Sequence, residues 1–458
     1  MPDGKQPVMT FSASLSRRLE EASSIVRLHK GQVRIISHYD PDGIGSAAVV
    51  CQMIRRLGLD FRATLSKKLT DEMLQDIRSK TPESHLLIFS DMGSGKVNIL
   101  DEFPHKVIVI DHHQPEAEGK KIVHLNPHLF GIDGAREASG SSFALSLAVS
   151  VDPANWDMLG PALAGAVGDR QNLGGFKGYN EDLVIAAAKA GLLKMEMLPN
   201  IKGQTIYDSL VDSPEPYFKG ITGRKRDASR FIKWLGLEKE AKLADLDDEK
   251  RRFFNSICAL RLLRQGATPE AVGDFVTTRF WLYDWDMYAD ELSSLFNSCS
   301  RQGQHTLGLA LALGDKSARE KAMELENAHR EFILTNLREL EAEPPKAMKN
   351  IQYFMTPEVN YAGALAGLGA LYFFDGSRAT LGMAEKDGEL HLSARATRAL
   401  VKKGLNLGTA CKEVAEKLGG AGGGHDIAAG ATFPLKSQSK FLKEMDRVVG
   451  EQLAASQS

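Results

Sequence analysis

Hydrophobic and polar positions along the first half of the chain predict alternating strands and helices. Four short apolar runs, rich in β-branched residues or alanine, predict buried strands over 33–37, 85–90, 106–110 and 162–168. Apolar residues at helical spacing predict helices over 14–30, 45–57 and 69–78. This alternation is typical of an α/β domain with a mainly parallel sheet, whose ligands bind beyond the carboxyl ends of the strands.

The pattern changes to helices and loops after about residue 195. Helices are predicted over 246–264 and 318–343, and the pair Pro344-Pro345 marks a linker. Beyond the linker, the pattern predicts strands over 371–374, 379–383, 390–393 and 427–433, with a helix over 410–418. We therefore expect three regions: an N-terminal α/β domain at 1–195, a largely helical connecting region at 196–345, and a smaller C-terminal α/β domain at 346–458.

Composition narrows the class of protein. Hydrophobic residues make up 43% and charged residues 25% of the 458, proportions of a globular protein with real cores, which excludes a disordered chain. A net charge of −2 gives no bulk basic field, although a local patch can still bind nucleic acid. The four cysteines form no CxxC pair, so we expect a reducing cytoplasm. The apolar run at 307–313 is too short to span a bilayer, and no membrane partner is expected.

Acidic residues and histidines follow all four predicted strands of the first domain. His38, Asp40 and Asp42 alternate along the chain, which places them on one side of an extended segment. The other three strand ends carry Asp91, the segment Asp111-His112-His113, and Asp169. Each acid could simply cap the helix that follows it. Their recurrence at four ends instead favours a single shared site.

The residue types in this set indicate a hard divalent cation. Carboxylate oxygens with some imidazole suit Mn²⁺ or Mg²⁺, whereas zinc and copper prefer more nitrogen and sulfur ligands. Crowded carboxylates repel one another unless a cation neutralises them. A pair of metal ions about 3.5–4 Å apart, which clamps a phosphate and activates water, is a common reason to build such a site.

The same residues carry a resemblance to a known family. His38-Tyr-Asp-Pro-Asp-Gly43, Asp91-Met-Gly-Ser94, Asp111-His-His113 and Gly168-Asp-Arg170 resemble, in order and spacing, the four motifs of the DHH phosphoesterase superfamily. The run Gly419–Gly430 resembles the glycine-rich signature of the associated DHHA1 domain, and Ser393-Ala-Arg395 its substrate-facing strand. Within the superfamily, Glu291–Arg301 and the stretch 307–315 are similar to archaeal RecJ-like nucleases, including the GINS-associated nuclease.

This resemblance implies a role for each matching residue. The implied metal ligands are His38, Asp40, Asp42, Asp91, His112 and Asp169, with Asp91 bridging two Mn²⁺ (or Mg²⁺) ions in each active site. His113 is implied to lie beside the scissile phosphate and Asp111 to orient the histidines, while Arg170 either contacts a phosphate or forms a structural ion pair. The implied substrate-binding residues are Ser393, Arg395, Gly422, Gly423, Gly424 and His425.

The function implied by the resemblance is a metal-dependent, single-strand-specific exonuclease that hydrolyses phosphodiester bonds of DNA or RNA in replication or repair. Its expected partners are single-stranded DNA or RNA, with the GINS complex as a further candidate. Two alternatives stay open. One is a small-substrate DHH phosphoesterase acting on oligoribonucleotides, nucleoside bisphosphates or cyclic dinucleotides, and the other is a replisome scaffold that binds GINS.

Two further segments each admit two interpretations. Tyr217, Phe218, Phe231 and Trp234 interleave with lysines and arginines, which suits either a stacking platform for single strands or buried aromatics beneath a basic face. Ser139–Ser142 opens an apolar helix, where the serines either hold a substrate phosphate or form a plain N-cap.

Overall fold

The computed structural model describes residues 7–455, and strands alternate with helices through its first half. The helices there are α1 (Ala13–Leu28), α2 (Pro41–Arg56), α3 (Asp71–Lys80), α4 (Val97–Leu100), α5 (Gly140–Val151), α6 (Leu159–Gly168) and α7 (Gly178–Lys189). The strands are β1 (Val33–His38), β2 (Phe61–Ser66), β3 (Leu86–Ser90), β4 (Lys106–Ile110), β5 (Val123–Leu125) and β6 (Leu193–Pro199).

The second half is mainly helical up to α14 and mixed beyond it. Its helices are α8 (Ile206–Asp212), α9 (Lys225–Trp234), α10 (Asp248–Arg264), α11 (Pro269–Gly273), α12 (Ala289–Arg301), α13 (His305–Ala312), α14 (Lys316–Ala342), α15 (Val359–Tyr372), α16 (Arg398–Lys402), α17 (Leu407–Lys417) and α18 (Gln438–Ala455). Its strands are β7 (Val276–Leu282), β8 (Met287–Tyr288), β9 (Lys346–Ala347), β10 (Ile351–Met355), β11 (Ala379–Lys386), β12 (Glu389–Arg395), β13 (Ala421–Gly424) and β14 (Ala428–Pro434).

The chain divides into two compact units. The first runs to Leu198 and resumes over Thr277–Asn327, and the second comprises Pro199–Val276 and the chain from Ala328 onward. The three-region division expected at residues 195 and 345 stays a prediction. Within residues 7–455, no helix has both the length and the hydropathy that crossing a bilayer requires.

A five-stranded parallel sheet organises the first unit. Its strand order is β2-β1-β3-β4-β5, and every pairing in it is parallel. Alternate residues of a strand enter different cores: Ile88 of β3 packs in the cluster with α1, α2, α5 and α6, whereas Phe89 packs in the cluster with α3 and α4. Both faces of the sheet are therefore covered, which explains why its central strands are continuous apolar runs rather than alternating ones. This unit also contains the small sheet β6-β7-β8.

The second unit contains a mixed six-stranded sheet in the order β13-β14-β12-β11-β10-β9. β10 and β11 are parallel, and the other neighbouring pairs are antiparallel. The predicted strands at 379–383, 390–393 and 427–433 correspond to β11, β12 and β14, and the predicted helix at 410–418 corresponds to α17. The predicted fold class, with a parallel N-terminal sheet, a largely helical middle and a smaller C-terminal α/β domain, is confirmed.

Two predicted strands are wrong. Residues 162–168 belong to α6, and residues 371–372 are the last turn of α15. Both segments are buried and apolar, and a short run of that kind carries no periodicity that separates a strand from a buried helix. Small residues let α6 pack closely: a Cβ on Gly165 would lie 2.3 Å from the Ser141 hydroxyl on α5. Asp169 therefore follows a helix rather than a strand.

Candidate metal centre

The connection from β1 to α2 carries three of the predicted ligands. His38 ends β1, Asp40 is the N-cap of α2, and Asp42 lies in the first helical turn. Asp40 Oδ1 accepts a hydrogen bond from the Gly43 N–H at 3.0 Å, which satisfies one of the unpaired donors at the helix start. A Cβ on Gly43 would lie 2.1 Å from the His38 carbonyl oxygen. Glycine is therefore required for this tight turn at the carboxyl edge of the sheet.

Asp91 follows β3, the strand between β1 and β4. Its backbone has φ of +53°, in the left-handed region that residues other than glycine rarely adopt. Its N–H donates to the carbonyl oxygen of Ile110, the last residue of β4, at 2.7 Å. The neighbouring strand therefore holds this unusual conformation, which is the kind of local strain found at functional sites.

Imidazoles approach both oxygens of the buried Asp91 carboxylate. His38 Nδ1 lies 3.4 Å from Oδ2, and His112 Nε2 lies 3.3 Å from Oδ1. Neither contact meets the geometry of a hydrogen bond, so both oxygens are buried without a hydrogen-bond partner among the described residues. An unsatisfied buried carboxylate is costly, and a cation between Asp91 and the two histidines would satisfy it.

Potential ligand atoms cluster around Asp91 in three overlapping groups. In each group the atoms lie within 4.8 Å of one another. The groups are His38, Asp40 and Asp91; Asp42, His112 and Asp169; and Asp91, His112 and His113. Their donors are carboxylate oxygens and imidazole nitrogens, a set that suits Mn²⁺ or Mg²⁺. All six predicted metal ligands are therefore brought together.

His112 presents one ring nitrogen to this cluster. Its Nδ1 lies 2.7 Å from the Gly134 carbonyl oxygen, and since a carbonyl only accepts, Nδ1 carries the hydrogen. Nε2 faces the acids, 3.1 Å from Asp169 Oδ2 and 3.8 Å from Asp42 Oδ2. A hydrogen bond that fixes the far nitrogen in this way is the usual support of a metal-ligating histidine.

The charges in the cluster shift the pKa values of its members. Burial, reinforced by the charges of Asp42 and Asp40, raises the pKa of Asp91 well above its usual value. Burial and Asp42 raise the pKa of Asp169 to about 6. Burial alone would lower the pKa of His38, but its interactions with the Asp40 and Asp91 carboxylates outweigh burial and raise that pKa to about 11. Asp91, Asp169 and His38 therefore bind protons more readily than usual, which reduces the repulsion between the acids of the cluster. Bound cations would reduce the same repulsion.

Asp111 lies beneath the two histidines and contacts both. Its Oδ1 accepts hydrogen bonds from the His112 and His113 N–H groups at 2.8 and 3.2 Å, and from His113 Nδ1 at 2.8 Å. Its Oδ2 accepts from the Ser94 N–H at 2.9 Å. Burial would raise the pKa of Asp111, but the hydrogen bonds and the charges of the histidines hold it below its usual value. The His113 side chain is 58% exposed, so its ring is fixed at one nitrogen and open at the other.

Arg170 and the start of α5 lie next to this centre. Arg170 is exposed and has φ of +59°, directly after Asp169. The start of α5 forms a capping box, in which Ser139 Oγ accepts from the Ser142 N–H at 3.2 Å. The N–H groups of Gly140 and Ser141 donate to Asp42 at 2.7 and 3.2 Å. The N-cap interpretation of this segment is therefore confirmed, and its amides are already paired with a carboxylate.

The predicted substrate-binding residues come together in the second unit. Ser393 of β12 pairs with Gly430 of β14, which in turn pairs with Gly423 of β13. Arg395 ends β12, and the N–H of His425, just after β13, donates to the Ala428 carbonyl oxygen at 2.8 Å. The glycine run is therefore a strand and its turn, and the exposed His425 side chain lies at that turn.

Glycine occupies each of positions 422, 423 and 424 in β13 under different structural conditions. A Cβ on Gly422 would lie 2.4 Å from the Cys411 carbonyl oxygen, so this position allows α17 to pack against the strand. Gly424 has φ of +139°, and a Cβ there would lie 2.7 Å from the Ala428 carbonyl oxygen. Gly423 has φ of +157° and open space around it. Among these three, only Gly423 has open space where a Cβ would lie.

The aromatic residues between 217 and 234 differ in their exposure to solvent. Tyr217 and Phe218 are fully buried and Phe231 is 9% exposed, which confirms the buried interpretation for these three. Trp234 is 64% exposed. The interpretation of this stretch as a stacking platform is therefore wrong for Tyr217, Phe218 and Phe231, and of these four aromatic residues only Trp234 is exposed.

Comparison with known proteins identifies both parts of the chain. Residues 32–167 match the DHH family N-terminal domain, and residues 366–451 match the DHHA1 domain. The chain therefore contains a DHH domain and a DHHA1 domain. The centre around Asp91 lies in the DHH domain, apart from Asp169, which follows the matched residues closely. An uncharacterized protein of Methanocaldococcus jannaschii is 28% identical over 432 residues, or 93% of this chain and 95% of that protein.

Solved structures share the fold at low sequence identity. A manganese-bound exonuclease RecJ is 18% identical, with a TM-score of 0.59 and 94% of each chain covered. The manganese complex of RecJ from Thermus thermophilus is 16% identical, with a TM-score of 0.58 over 95% of this chain, which spans only 55% of that RecJ. CDC45 from Entamoeba histolytica is 13% identical, with a TM-score of 0.65 over 95% of this chain and 98% of CDC45. At these identities the likeness establishes the fold alone.

The DHH domain also supports its centre with Asn126 and His124, which no motif indicated. Asn126 Nδ2 donates to the Ser94 hydroxyl and to the His113 carbonyl oxygen, each at 2.8 Å. The same hydroxyl lies 2.9 Å from Nε2 of the buried His124. These side chains hold the segment that carries Asp111 and His113. Only their type, polar residues next to apolar strands, could have drawn attention to them.

Proposed function

We propose that this protein is a metal-dependent phosphodiesterase that degrades single-stranded DNA or RNA from an end, with roles in replication or repair. The observation that carries the proposal is the buried Asp91 carboxylate, whose two oxygens lack hydrogen-bond partners among the described residues and face His38 and His112. DHH and DHHA1 domains in one chain, and a fold shared with proteins named as RecJ exonucleases, support it further.

In this proposal two divalent cations share Asp91. His38 and Asp40 would hold one cation, and Asp42, His112 and Asp169 the other. Such cations polarise phosphate oxygens, lower the pKa of water and stabilise the charge that develops on the leaving oxygen. The chain itself supplies the buried carboxylates that fix the cations and the hydrogen bonds that keep those carboxylates in place.

His113 is the proposed contact to the reacting phosphate. Its Nδ1 is fixed by Asp111 at 2.8 Å, and that hydrogen bond raises the pKa of the imidazole. The exposed Nε2 is then able to donate a proton to a phosphate oxygen or to the leaving oxygen. Asp111 is the residue that orients this ring, and Arg170 is a further candidate contact to phosphate at the exposed rim.

The proposed role of the DHHA1 domain is to bind the strand and its terminus. Arg395 supplies a guanidinium, which binds phosphate well. The Ser393 hydroxyl, the open backbone at Gly423 and the exposed His425 imidazole supply hydrogen-bond donors. Gly422 and Gly424 keep the strand in position for these contacts through their close packing.

End-labelled oligonucleotides test the proposal. Single-stranded and duplex DNA and RNA, labelled at either end, are incubated with Mn²⁺, Mg²⁺ or EDTA. We expect stepwise shortening of single strands with Mn²⁺ or Mg²⁺ and none in EDTA. Full hydrolysis in excess EDTA would contradict the metal centre. Hydrolysis of dinucleotides or nucleoside bisphosphates without attack on longer strands would favour the small-substrate alternative, and GINS binding without hydrolysis would favour the scaffold.

A further inference from the structure

Helix α10 in the second unit has an apolar outer face. Its buried side consists of Phe254, Cys258 and Leu262, which pack into the core of that unit. On the opposite side Phe253, Leu260 and Leu263 are 49%, 60% and 53% exposed. Side chains of this kind normally face a core or a partner, and several of them exposed on one side of a helix indicate an interaction surface. We call this surface, with Glu249 and Arg264 at its ends, the α10 face.

The order of residues along the α10 face is symmetric. Glu249, Phe253, Leu260 and Arg264 are separated by four, seven and four positions, so all four lie on one side of the helix. The midpoint falls between Ser256 and Ile257. An acid and an aromatic residue therefore mirror a base and an aliphatic residue about the centre of the helix.

We propose that the α10 face binds the α10 face of a second copy of this chain, with the two helices antiparallel about a two-fold axis near Ser256. In this register Phe253 of each copy packs on the other copy's residue 260, and Glu249 pairs with the other copy's residue 264. A two-fold contact forms every such pair twice, which is how a self-complementary surface closes into a dimer.

The charges on the α10 face are complementary to those of a second, antiparallel copy of the same face. Glu249 and Arg264 are both exposed, and neither has an ion-pair partner within residues 7–455. A parallel arrangement would place acid beside acid and base beside base. The antiparallel arrangement pairs each charge with its opposite at the edge of an apolar seam, where complementary charges set register and orientation.

Trp234 provides a reporter next to this seam. Its ring centroid lies 6.5 Å from that of Phe253 and 6.0 Å from that of Phe231, on which it stacks. Because Trp234 is 64% exposed, a partner helix over Phe253 would remove part of its ring from water. The contact of two single helices is smaller than a standard interface of about 1,600 Å², so we expect a dimer that dissociates on dilution.

Analytical ultracentrifugation of the full chain over a dilution series tests the proposal. We expect a monomer–dimer equilibrium, accompanied by a blue shift of Trp234 fluorescence that a Trp234→Phe variant lacks. Leu260→Glu should weaken association by at least ~10-fold, because it places a charge in the apolar seam. Leu28→Glu, at a residue of α1 that is 76% exposed, is the matched control and should leave the dimer intact.

Charge reversal gives the sharper test. Glu249→Arg and Arg264→Glu should each yield a monomer, since each creates two like-charged contacts, whereas an equimolar mixture of the two variants should form a heterodimer. A structural defect in either variant would not be repaired by mixing. A wild-type chain that is monomeric at every concentration, a mixture that does not associate, or quenching of Trp234 by oligothymidylate on a monomeric chain would each overturn the proposal.

Discussion

The carboxylate of Asp42 accepts a hydrogen bond from the backbone N–H of Gly140 at 2.7 Å, which joins the first turn of α2 to the first turn of α5. Asp42 is completely buried. The N–H and the hydroxyl of Ser141 donate to the same side chain. The first turn of α5 therefore fixes the Asp42 side chain at the edge of the candidate metal centre.

The Ser141 hydroxyl is therefore expected to stabilise the DHH domain. It contacts Asp42 and lies 2.7 Å from the Ala162 carbonyl oxygen. Ser141→Ala should lower the free energy of unfolding by about 1–3 kcal/mol, because it removes a buried donor to a charged group. Ser150→Ala on the same helix is the control, and we expect it to change stability by less than about 0.5 kcal/mol. Urea denaturation followed by circular dichroism measures both, and equal effects would contradict the role of Ser141.

Among the proposed ligands, Asp91 is expected to be the one whose substitution most strongly weakens metal binding. Asp91→Asn keeps the shape of the side chain, and asparagine tolerates the left-handed backbone at this position. Without metal the variant should melt at or above the wild-type temperature, because it removes one of several mutually repelling acids. Added Mn²⁺ should raise the melting temperature of the wild type but not of the variant.

Turnover by Asp91→Asn should fall by at least ~10³-fold, since a bridging ligand serves both cations of the proposed centre. Asp60→Asn, at an exposed acid elsewhere in the first unit, is the control for a general loss of charge. Thermal melts with and without Mn²⁺, next to the oligonucleotide assay, measure both effects. A variant that melts far lower yet retains substantial activity would show that Asp91 is structural and that the metal centre lies elsewhere.

His425 is expected to contribute to substrate binding but not to metal binding. In the proposed function it contacts the strand, and its side chain is exposed at the turn after β13. His425→Ala should raise KM for oligonucleotides by about 10-fold, the loss of one hydrogen bond to a charged group, with bound manganese unchanged. Glu416→Ala on α17 is the control. Loss of manganese from the His425 variant would contradict the assignment.

The acids at the edge of the parallel sheet could be predicted from sequence because β1, β3 and β4 are short apolar runs, each followed within two residues by an acid. Asp91 and Asp111 follow strands as expected. Asp169 reaches the same site from a helix, and its local pattern did not reveal this because Leu163, Ala164 and Ala166 are buried on all sides.

The supporting contacts could not be predicted. Asn126 and Ser141 form hydrogen bonds with motif residues that are distant in sequence. A polar residue alone does not indicate which distant group it will contact. Strand β6 of the small sheet β6-β7-β8 was missed for a different reason, which is its composition. Residues 193–199 contain methionine, lysine and glutamate rather than the β-branched residues that usually identify a strand.

The stability of the second unit is expected to depend on pH through Glu341. Glu341 Oε2 accepts hydrogen bonds from the Tyr217 hydroxyl at 2.6 Å and from Arg224 Nη1 at 2.8 Å. Burial would raise the pKa of this carboxyl, but the Arg224 and Tyr217 hydrogen bonds outweigh it and lower the pKa below its usual value. Since the folded pKa is the lower one, the ionised carboxylate stabilises the fold above the unfolded pKa, and this contribution is lost as pH falls through the folded pKa.

Glu341→Gln should therefore lower the free energy of unfolding by about 1–2 kcal/mol at pH 7, because a neutral amide replaces the charge that Arg224 contacts. The difference from wild type should shrink steadily below about pH 4, where wild-type Glu341 takes up a proton. Glu339→Gln, at an exposed position of the same helix, controls for the loss of surface charge. Guanidinium denaturation at several pH values measures both variants. A Glu341→Gln deficit of the same size at about pH 3 and pH 7 would mean that packing, and not the ionised carboxylate, accounts for the contribution of this residue.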